Sequence, residues 1–181
     1  MTMKVDAELD ERFSSPDVSA LPWTDAERQL READVFWLAT VRPDGRPHVV
    51  PLIAVWLEGS LYFSTGEGEQ KAVNLADNDR VSVTTGSNDL DDGFDVVLEG
   101  RARIVTDVAK RPRLADAYEA KYGDGWRLPD LDVVVVYEVS PVKVLGFGRK
   151  DGRIGLPEGR GEMFNQTRWR FPGSQERRGS R

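Results

Sequence analysis

The feature that most constrains the fold is a series of short β-branched and aromatic segments separated by turn residues. Residues 35–41 read VFWLATV, the turn RPDGRP follows with Asp44-Gly45 at its tip, and residues 48–57 read HVVPLIAVWL. Two apolar segments joined by such a turn predict a β-hairpin. Pro51 cannot donate a ladder hydrogen bond, which favours an edge strand, a bulge or a break that faces a ligand.

Further segments continue this pattern to the end of the chain. Strand-like composition recurs at residues 61–65, 80–85, 94–105, 132–139, 143–147 and 167–171. Gly100 suggests a bulge or a sharp bend, and the VVVV run at 133–136 predicts a strand buried on both faces. Six or seven strands in meander order predict a mainly β fold, an antiparallel barrel with helices packed outside. No G-x-G-x-x-G follows a first strand, so a Rossmann domain is disfavoured.

Two or three short helices are predicted in the connections. Thr24 and Glu27 have capping-box spacing before an apolar stripe, which predicts a helix over residues 24–34. Asp107 is expected to cap a second helical segment, with Pro112 near its first turn. The predicted organisation is a polar N-terminal arm (1–22), a barrel domain (23–149), a C-terminal segment returning to the site or to a partner subunit (150–171) and a disordered tail (172–181).

Composition excludes several classes of function. The net charge is −6 and the sequence pI is near 5.0, so we expect neither nucleic acid nor an anionic membrane as a partner. The acidic, polar start predicts a cytoplasmic protein. Cysteine is absent and His48 is the only histidine, so we expect no zinc site. The acidic loop at 86–93 lacks EF-hand spacing, so we expect no metal there either. Redox chemistry would therefore need a bound cofactor.

The stretch YFSTGEGEQKAVNL, residues 62–75, joins a predicted strand to a predicted helix. In one interpretation its hydroxyls, backbone N–H groups and lysine hold a phosphate at the helix N-terminus. In the other it is a simple glycine-rich connection, because Glu67 and Glu69 would repel a phosphate. The residues that would hold the phosphate are Ser64, Thr65, Gly66, Gly68 and Lys71.

Two further groups of residues are candidates for a site. His48 opens a strand, where it either bonds to the polar edge of a ligand or is satisfied by backbone and water. Arg168, Trp169 and Arg170 either stack on and pair with an anionic aromatic ligand or form an amphipathic packing strand. No catalytic residue is evident, and His48 and Tyr62 are the weak candidates for a proton donor.

The order of these motifs carries a family resemblance. WLATVRPDGRPHVVPL, LYFSTG, K-A-x-N-L-A, RVSVTTG, VVLEGRARIV and the terminal TRWRF occur in sequence over residues 36–171. This order resembles the pyridoxamine 5′-phosphate oxidase-like split β-barrel flavoproteins, and within them the actinobacterial flavin and deazaflavin oxidoreductases, many of which use coenzyme F420. The resemblance implies a homodimer of six-stranded split barrels with two cofactor sites in the clefts between subunits.

The resemblance also implies roles for particular residues. Ser64, Thr65, Gly66 and Lys71 match the loop and lysine that hold the cofactor phosphate in that family. His48, Val49, Val50 and Pro51 match the strand beside the isoalloxazine-type ring. Arg168 and Trp169 match the C-terminal strand that closes the site. The family commonly places arginines near the lysine, at positions where this chain has Glu69, Gln70 and Val73.

The predicted function is hydride transfer between bound F420, or alternatively FMN, and a small conjugated substrate. The other hypotheses are a non-catalytic cofactor-binding or carrier dimer and a purely structural dimer.

Overall fold

The computed structural model describes residues 5–86, 93–126, 134–150 and 163–171. The strands are β1 (Asp6–Leu9), β2 (Phe36–Val41), β3 (Pro47–Leu52), β4 (Val55–Leu57), β5 (Ser60–Thr65), β6 (Arg80–Thr85), β7 (Gly93–Ile104), β8 (Val135–Lys150) and β9 (Met163–Arg170). The α-helices are α1 (Trp23–Glu32), α2 (Gln70–Asp77) and α3 (Arg111–Tyr122), with short 3-10 helices at Glu11–Phe13, Val108–Lys110 and Asp124–Trp126. Most of the acidic loop, the start of the strand predicted at 132–139, most of the 150–171 segment before β9, and the tail predicted to be disordered lie outside the described residues.

All described strand pairs are antiparallel, in the order β1-β9-β8-β7-β6-β2-β3. The long strand β8 pairs with β7 on one side and with both β5 and β9 on the other, and β5 also pairs with β4. A strand shared in this way lets one sheet curl around a single core. The architecture confirms the predicted mainly β, antiparallel split barrel with helices in its connections.

The hairpin β2–β3 forms as predicted, and Gly45 at its tip has a φ of +85°. β3 lies at one end of the described sheet, which confirms the edge position expected from Pro51. The segment 48–57 divides into β3 and β4, because residues 53–54 leave the ladder.

The two strands predicted at 132–139 and 143–147 merge into β8. Pro141 is tolerated there because it lies opposite Gly100, where the β7–β8 register shifts. A Cβ at Gly100 would lie 2.5 Å from the Ser140 carbonyl oxygen, so the bulge predicted at this position requires glycine. In the described part of the valine run, Val134 and Val135 are half-buried and Val136 is buried. The predicted burial on both faces is reached only at Val136 and the next residue, Tyr137, which pack into different clusters.

Helix α1 begins one residue earlier than predicted, with Pro22 as its N-cap. Thr24 therefore lies inside the helix, no side chain caps its N-terminus, and the predicted capping box is wrong. Asp107 does cap the 3-10 turn before α3, accepting from the Ala109 N–H at 2.9 Å, and Pro112 lies in the first turn of α3. The N-terminal arm is extended and adds β1 to the sheet beside β9.

The main core fills the barrel and extends beneath α1. Its largest buried side chains include Phe36, Leu38, Phe63, Leu98 and Trp169. A second buried cluster, which includes Tyr62, Leu114 and Tyr118, lies between α3 and β5. Within the described residues, no helix combines the length and the apolar character needed to cross a membrane.

Candidate functional site

The loop between β5 and α2 forms a small turn that holds its own Glu69 carboxylate, and we call this turn the anion cradle (Gly66, Glu69 and Lys71). Glu69 Oε1 accepts a hydrogen bond from the Gly66 N–H at 3.0 Å, and Glu69 Oε2 pairs with Lys71 Nζ. The Glu69 N–H donates to the Gly66 carbonyl at 3.1 Å, which closes the turn. Glu69 is also the N-cap of α2, but its side chain makes no capping hydrogen bond to the helix.

The two charged members of the cradle differ in how firmly the fold holds them. The Lys71 side chain is 12% exposed, whereas the Glu69 side chain is 55% exposed. The hydrogen bond from Lys71 and the Gly66 N–H lower the pKa of the Glu69 carboxyl below its usual value, so the carboxylate is charged at neutral pH. The side chain that carries the cation is therefore packed in the fold, while the side chain that carries the carboxylate faces solvent. An ammonium and a backbone N–H are donors that suit a phosphate.

A second cation reaches the start of α2 from the β2–β3 hairpin. Arg42 Nη1 donates to Gln70 Oε1 at 2.7 Å, across 28 positions of sequence. The sequence has no arginine within the loop, and the fold supplies one from a different element. Arg42 was not predicted because its position depends on how the hairpin packs against α2.

The other residues predicted to hold a phosphate, Ser64, Thr65 and Gly68, do not all lie next to the cradle. The buried Thr65 hydroxyl donates to the Gly66 carbonyl at 3.4 Å. Ser64 lies on the opposite face of β5 from Thr65, because successive strand side chains alternate. Gly68 is exposed at the tip of the loop.

The predicted ring-edge residues 48–51 lie on β3 and divide between its two faces. His48 and Val50 are half-buried on the inner face, whereas Val49 and Pro51 are exposed on the outer face. The four residues therefore share a backbone edge rather than one side-chain surface.

His48 ends a continuous series of side-chain hydrogen bonds, which we call the polar chain (Arg42, Gln70, Asn74, Thr40 and His48). Gln70 Nε2 donates to Asn74 Oδ1 at 2.8 Å, and Asn74 Nδ2 donates to Thr40 Oγ1 at 2.8 Å. Thr40 Oγ1 then lies 3.2 Å from His48 Nδ1. Asn74 and Thr40 are buried and directly bonded to each other. The polar chain links the helix of the anion cradle to the predicted ring-edge strand.

The opposite side of the hairpin presents apolar side chains to solvent, and we call it the outer apolar face (Trp37, Val41, Pro47, Val49 and Pro51). The strand register places Trp37 opposite Pro51 and Val41 opposite Pro47. Trp37 and Val49 are about half exposed, at 49% and 56%. Adjacent exposed apolar side chains of this size are typical of a surface that another molecule covers.

Tyr62 is buried beneath α3, on the same face of β5 as Ser64. Its ring lies 5.8 Å from Lys110 Nζ, and that ammonium pairs with Glu138 at 2.8 Å. Burial, and then the nearby Glu138 charge, raise the pKa of the Tyr62 hydroxyl above its usual value. This environment disfavours proton release, so it gives no support to Tyr62 as a proton donor.

The side chains of Arg168 and Trp169 both make contacts within their own chain. Trp169 is fully buried, its indole N–H donates to the Leu21 carbonyl at 3.1 Å, and its ring packs edge-on against Trp23. Arg168 pairs at 3.2 Å with Asp10, the residue directly after β1. Buried and partly exposed side chains thus alternate along β9. This pattern agrees with the interpretation of TRWRF as an amphipathic packing strand.

Comparison with known proteins shows the same fold in several solved structures. No curated protein matches the chain in sequence. A FAD-binding protein from Mesorhizobium loti is 21% identical, with 93% of this chain and 98% of that chain covered and a TM-score of 0.56. A conserved hypothetical protein from Mycobacterium tuberculosis is 23% identical, with 81% and 97% covered and a TM-score of 0.64. The heme storage protein HutZ from Vibrio cholerae is 19% identical, with 66% and 88% covered and a TM-score of 0.54.

The comparison with protein families is more specific than these structural likenesses. The pyridoxamine 5′-phosphate oxidase profile matches residues 23–146, which is more than half of the chain. The match begins at the start of α1 and ends within β8, so it includes the anion cradle, the polar chain and the outer apolar face. The chain therefore belongs to the pyridoxamine 5′-phosphate oxidase family.

Proposed function

We propose that the protein is an oxidoreductase that binds FMN, or alternatively F420, by the cofactor phosphate at the anion cradle. The observation that carries the proposal is the Glu69 carboxylate, which accepts from Gly66 and pairs with Lys71 as a phosphate oxygen would. Similarity to a protein named for FAD binding supports a flavin. The family profile and the relatives reported above do not name F420, so F420 rests on the sequence resemblance alone.

In this proposal each part of the site has one task. Lys71 and the Gly66 N–H hold the phosphate, and Arg42 contributes positive charge beside Gln70. The edge of β3 offers its backbone to the polar edge of the ring, with His48 beside it. When bound in its reduced form, a flavin or deazaflavin would be the hydride source for a small conjugated substrate and would end in its oxidised form, with water as the source of the proton.

We further propose that a second copy of the chain covers the outer apolar face. Trp37 and Val49 lie on the edge hairpin next to the polar chain, so a dimer built here places the proposed ring site at a subunit boundary. A cleft at this boundary suits a small-molecule substrate.

The second candidate function is non-catalytic cofactor binding in a dimer of the same kind. The observation that favours it is again Glu69, because a site that carries its own anion binds an external one more weakly. Similarity to a protein named for heme storage adds support.

One experiment separates these possibilities. The visible spectrum of the purified protein, with a mass spectrum of the extracted ligand, distinguishes FMN, F420, heme and no ligand. The apoprotein is then titrated with FMN and with F420, and the protein loaded with the reduced form of either cofactor is tested for reduction of conjugated acceptors. Cofactor binding with turnover supports the oxidoreductase, and binding without turnover supports the non-catalytic function. If neither FMN nor F420 co-purifies or binds on titration, the proposed oxidoreductase is wrong.

A further inference from the structure

We propose that the polar chain positions His48 so that its Nδ1 accepts a hydrogen bond and its Nε2 carries the proton. His48 would then recognise a hydrogen-bond acceptor on the ligand, such as a carbonyl oxygen or an unprotonated ring nitrogen. It would not act as a ligand to iron or another metal. The inference rests on the proposed function only in placing a ligand beside β3.

The donor and acceptor roles along the polar chain follow from its first member, Arg42. A guanidinium has only donors, so the Gln70 atom that faces Arg42 must be the carbonyl oxygen. The Gln70 amide nitrogen is then left to donate to Asn74 Oδ1 at 2.8 Å. This in turn directs the Asn74 amide nitrogen to Thr40 Oγ1. Arg42 thereby fixes the orientation of both amides, which would otherwise be interchangeable.

The last step decides the tautomer of His48. Thr40 Oγ1 accepts from Asn74 and keeps one hydrogen to donate. His48 Nδ1 lies 3.2 Å away, whereas the alternative acceptor, the His48 carbonyl, lies at 3.5 Å, a length at which a hydrogen bond is weak. The hydroxyl therefore donates to Nδ1. Thr40 and His48 are directly opposite in the β2–β3 register, which holds this geometry in place.

The tautomer sets the kind of ligand that His48 can bind. In a neutral imidazole whose Nδ1 accepts, Nε2 carries the only proton and is a donor. No described residue bonds to His48 Nε2, so this donor is available to a ligand. A histidine that ligates a metal through Nε2 has the opposite arrangement, with its Nδ1–H donating to a carbonyl or carboxylate. Thr40 and Asn74 are thus positioning residues that make His48 a hydrogen-bond donor.

The test uses the single histidine of the chain. In ¹⁵N-labelled apoprotein at about pH 8.5, where an ordinary histidine is neutral, long-range ¹H–¹⁵N spectra contain one side-chain imidazole. We expect the pattern of an Nε2–H tautomer. We also expect the Nδ1 resonance to move in Thr40→Val, which lacks the hydroxyl, and to stay near its original position in Thr40→Ser, which keeps it. An Nδ1–H tautomer in the wild-type protein, or an Nδ1 resonance unaffected by Thr40→Val, would overturn the inference.

Two binding measurements complete the test. FMN affinity should fall about two- to tenfold in Thr40→Val and remain near the wild-type value in Thr40→Ser, as expected for one hydrogen bond. Equal losses in both variants would contradict the positioning role. Hemin titration of wild-type protein and His48→Ala should give the same Soret spectrum, and loss of a Soret band on removing His48 would show that it is a metal ligand. If wild-type protein binds neither FMN nor F420, the proposed function fails, but the spectra of the apoprotein still decide the tautomer.

Discussion

Replacing Glu69 with glutamine should make the protein bind FMN more tightly. In the free protein the Glu69 carboxylate occupies the Gly66 N–H and the Lys71 ammonium, both of which the proposed phosphate needs. Binding therefore first breaks these contacts. Glutamine keeps the size of the side chain but removes its charge, so it competes less well for both donors.

The magnitude follows from one contact that is lost and one that is weakened. An ion pair with one partner more than half exposed contributes at most about 1 kcal/mol. The exposed hydrogen bond from the Gly66 N–H contributes about 0.5–1 kcal/mol, and the glutamine amide oxygen retains part of it. Weakening the competitor by about 1–1.4 kcal/mol raises the affinity about five- to tenfold.

The assay is fluorescence titration of apoprotein with FMN and, in parallel, with riboflavin, which has the same ring and no phosphate. Glu67→Gln is the matched control, because it removes one charge from the same exposed loop without contributing to the cradle. We expect Glu69→Gln to increase FMN affinity, with little change for riboflavin and with little effect of Glu67→Gln on either.

Two results would refute this reasoning. Equal gains for FMN and riboflavin would show that Glu69 does not compete with a phosphate. A loss of FMN affinity in Glu69→Gln would show that the carboxylate helps to bind the cofactor instead of excluding it.

Four other predictions follow from contacts elsewhere in the fold and from Lys71. Lys71→Ala should lower FMN affinity at least about tenfold while changing the free energy of unfolding by less than about 1 kcal/mol; unchanged affinity would place the phosphate elsewhere. Trp169→Ala should destabilise the fold by about 3–5 kcal/mol in urea unfolding, and a loss below about 1 kcal/mol would contradict its place in the core. Trp37→Glu should convert a dimer to a monomer in light scattering, and an unaffected dimer would place the interface elsewhere. Burial lowers the pKa of Lys121 to about 8, so the unfolded chain holds more protons above that pH. The wild-type protein should therefore gain about 1–2 kcal/mol of stability relative to Lys121→Met as pH rises from about 8 to 10; parallel pH profiles would contradict this.

The features that could be predicted from the sequence are those fixed by local patterns. Alternating β-branched residues and the Asp44-Gly45 turn predict the first hairpin, and Gly100 predicts the bulge at which Pro141 is accommodated. Pro51 predicts an edge strand, and β3 is one. Each of these predictions uses a residue type whose backbone preference is evident without knowing its distant partners.

The parts of the site that escaped prediction depend on contacts between distant segments. Arg42 and Gln70 are 28 positions apart, and Asn74 and Thr40 are 34 apart. Their partnership depends on how α2 packs on the hairpin, which no local pattern encodes. Glu69 was visible as an obstacle to a phosphate, but its contact with Gly66 and Lys71 requires the folded turn. The sequence offers one signal of the polar chain: Asn74 is a polar residue among the apolar residues of α2, and it is buried.

The most direct test of the central claim is a crystal structure of the unmodified protein with FMN. We predict that the phosphate contacts the Gly66 N–H and Lys71 Nζ, with the Glu69 carboxylate turned away from both. A bound FMN whose phosphate lies elsewhere, with the Glu69 and Lys71 pair intact, would contradict the account.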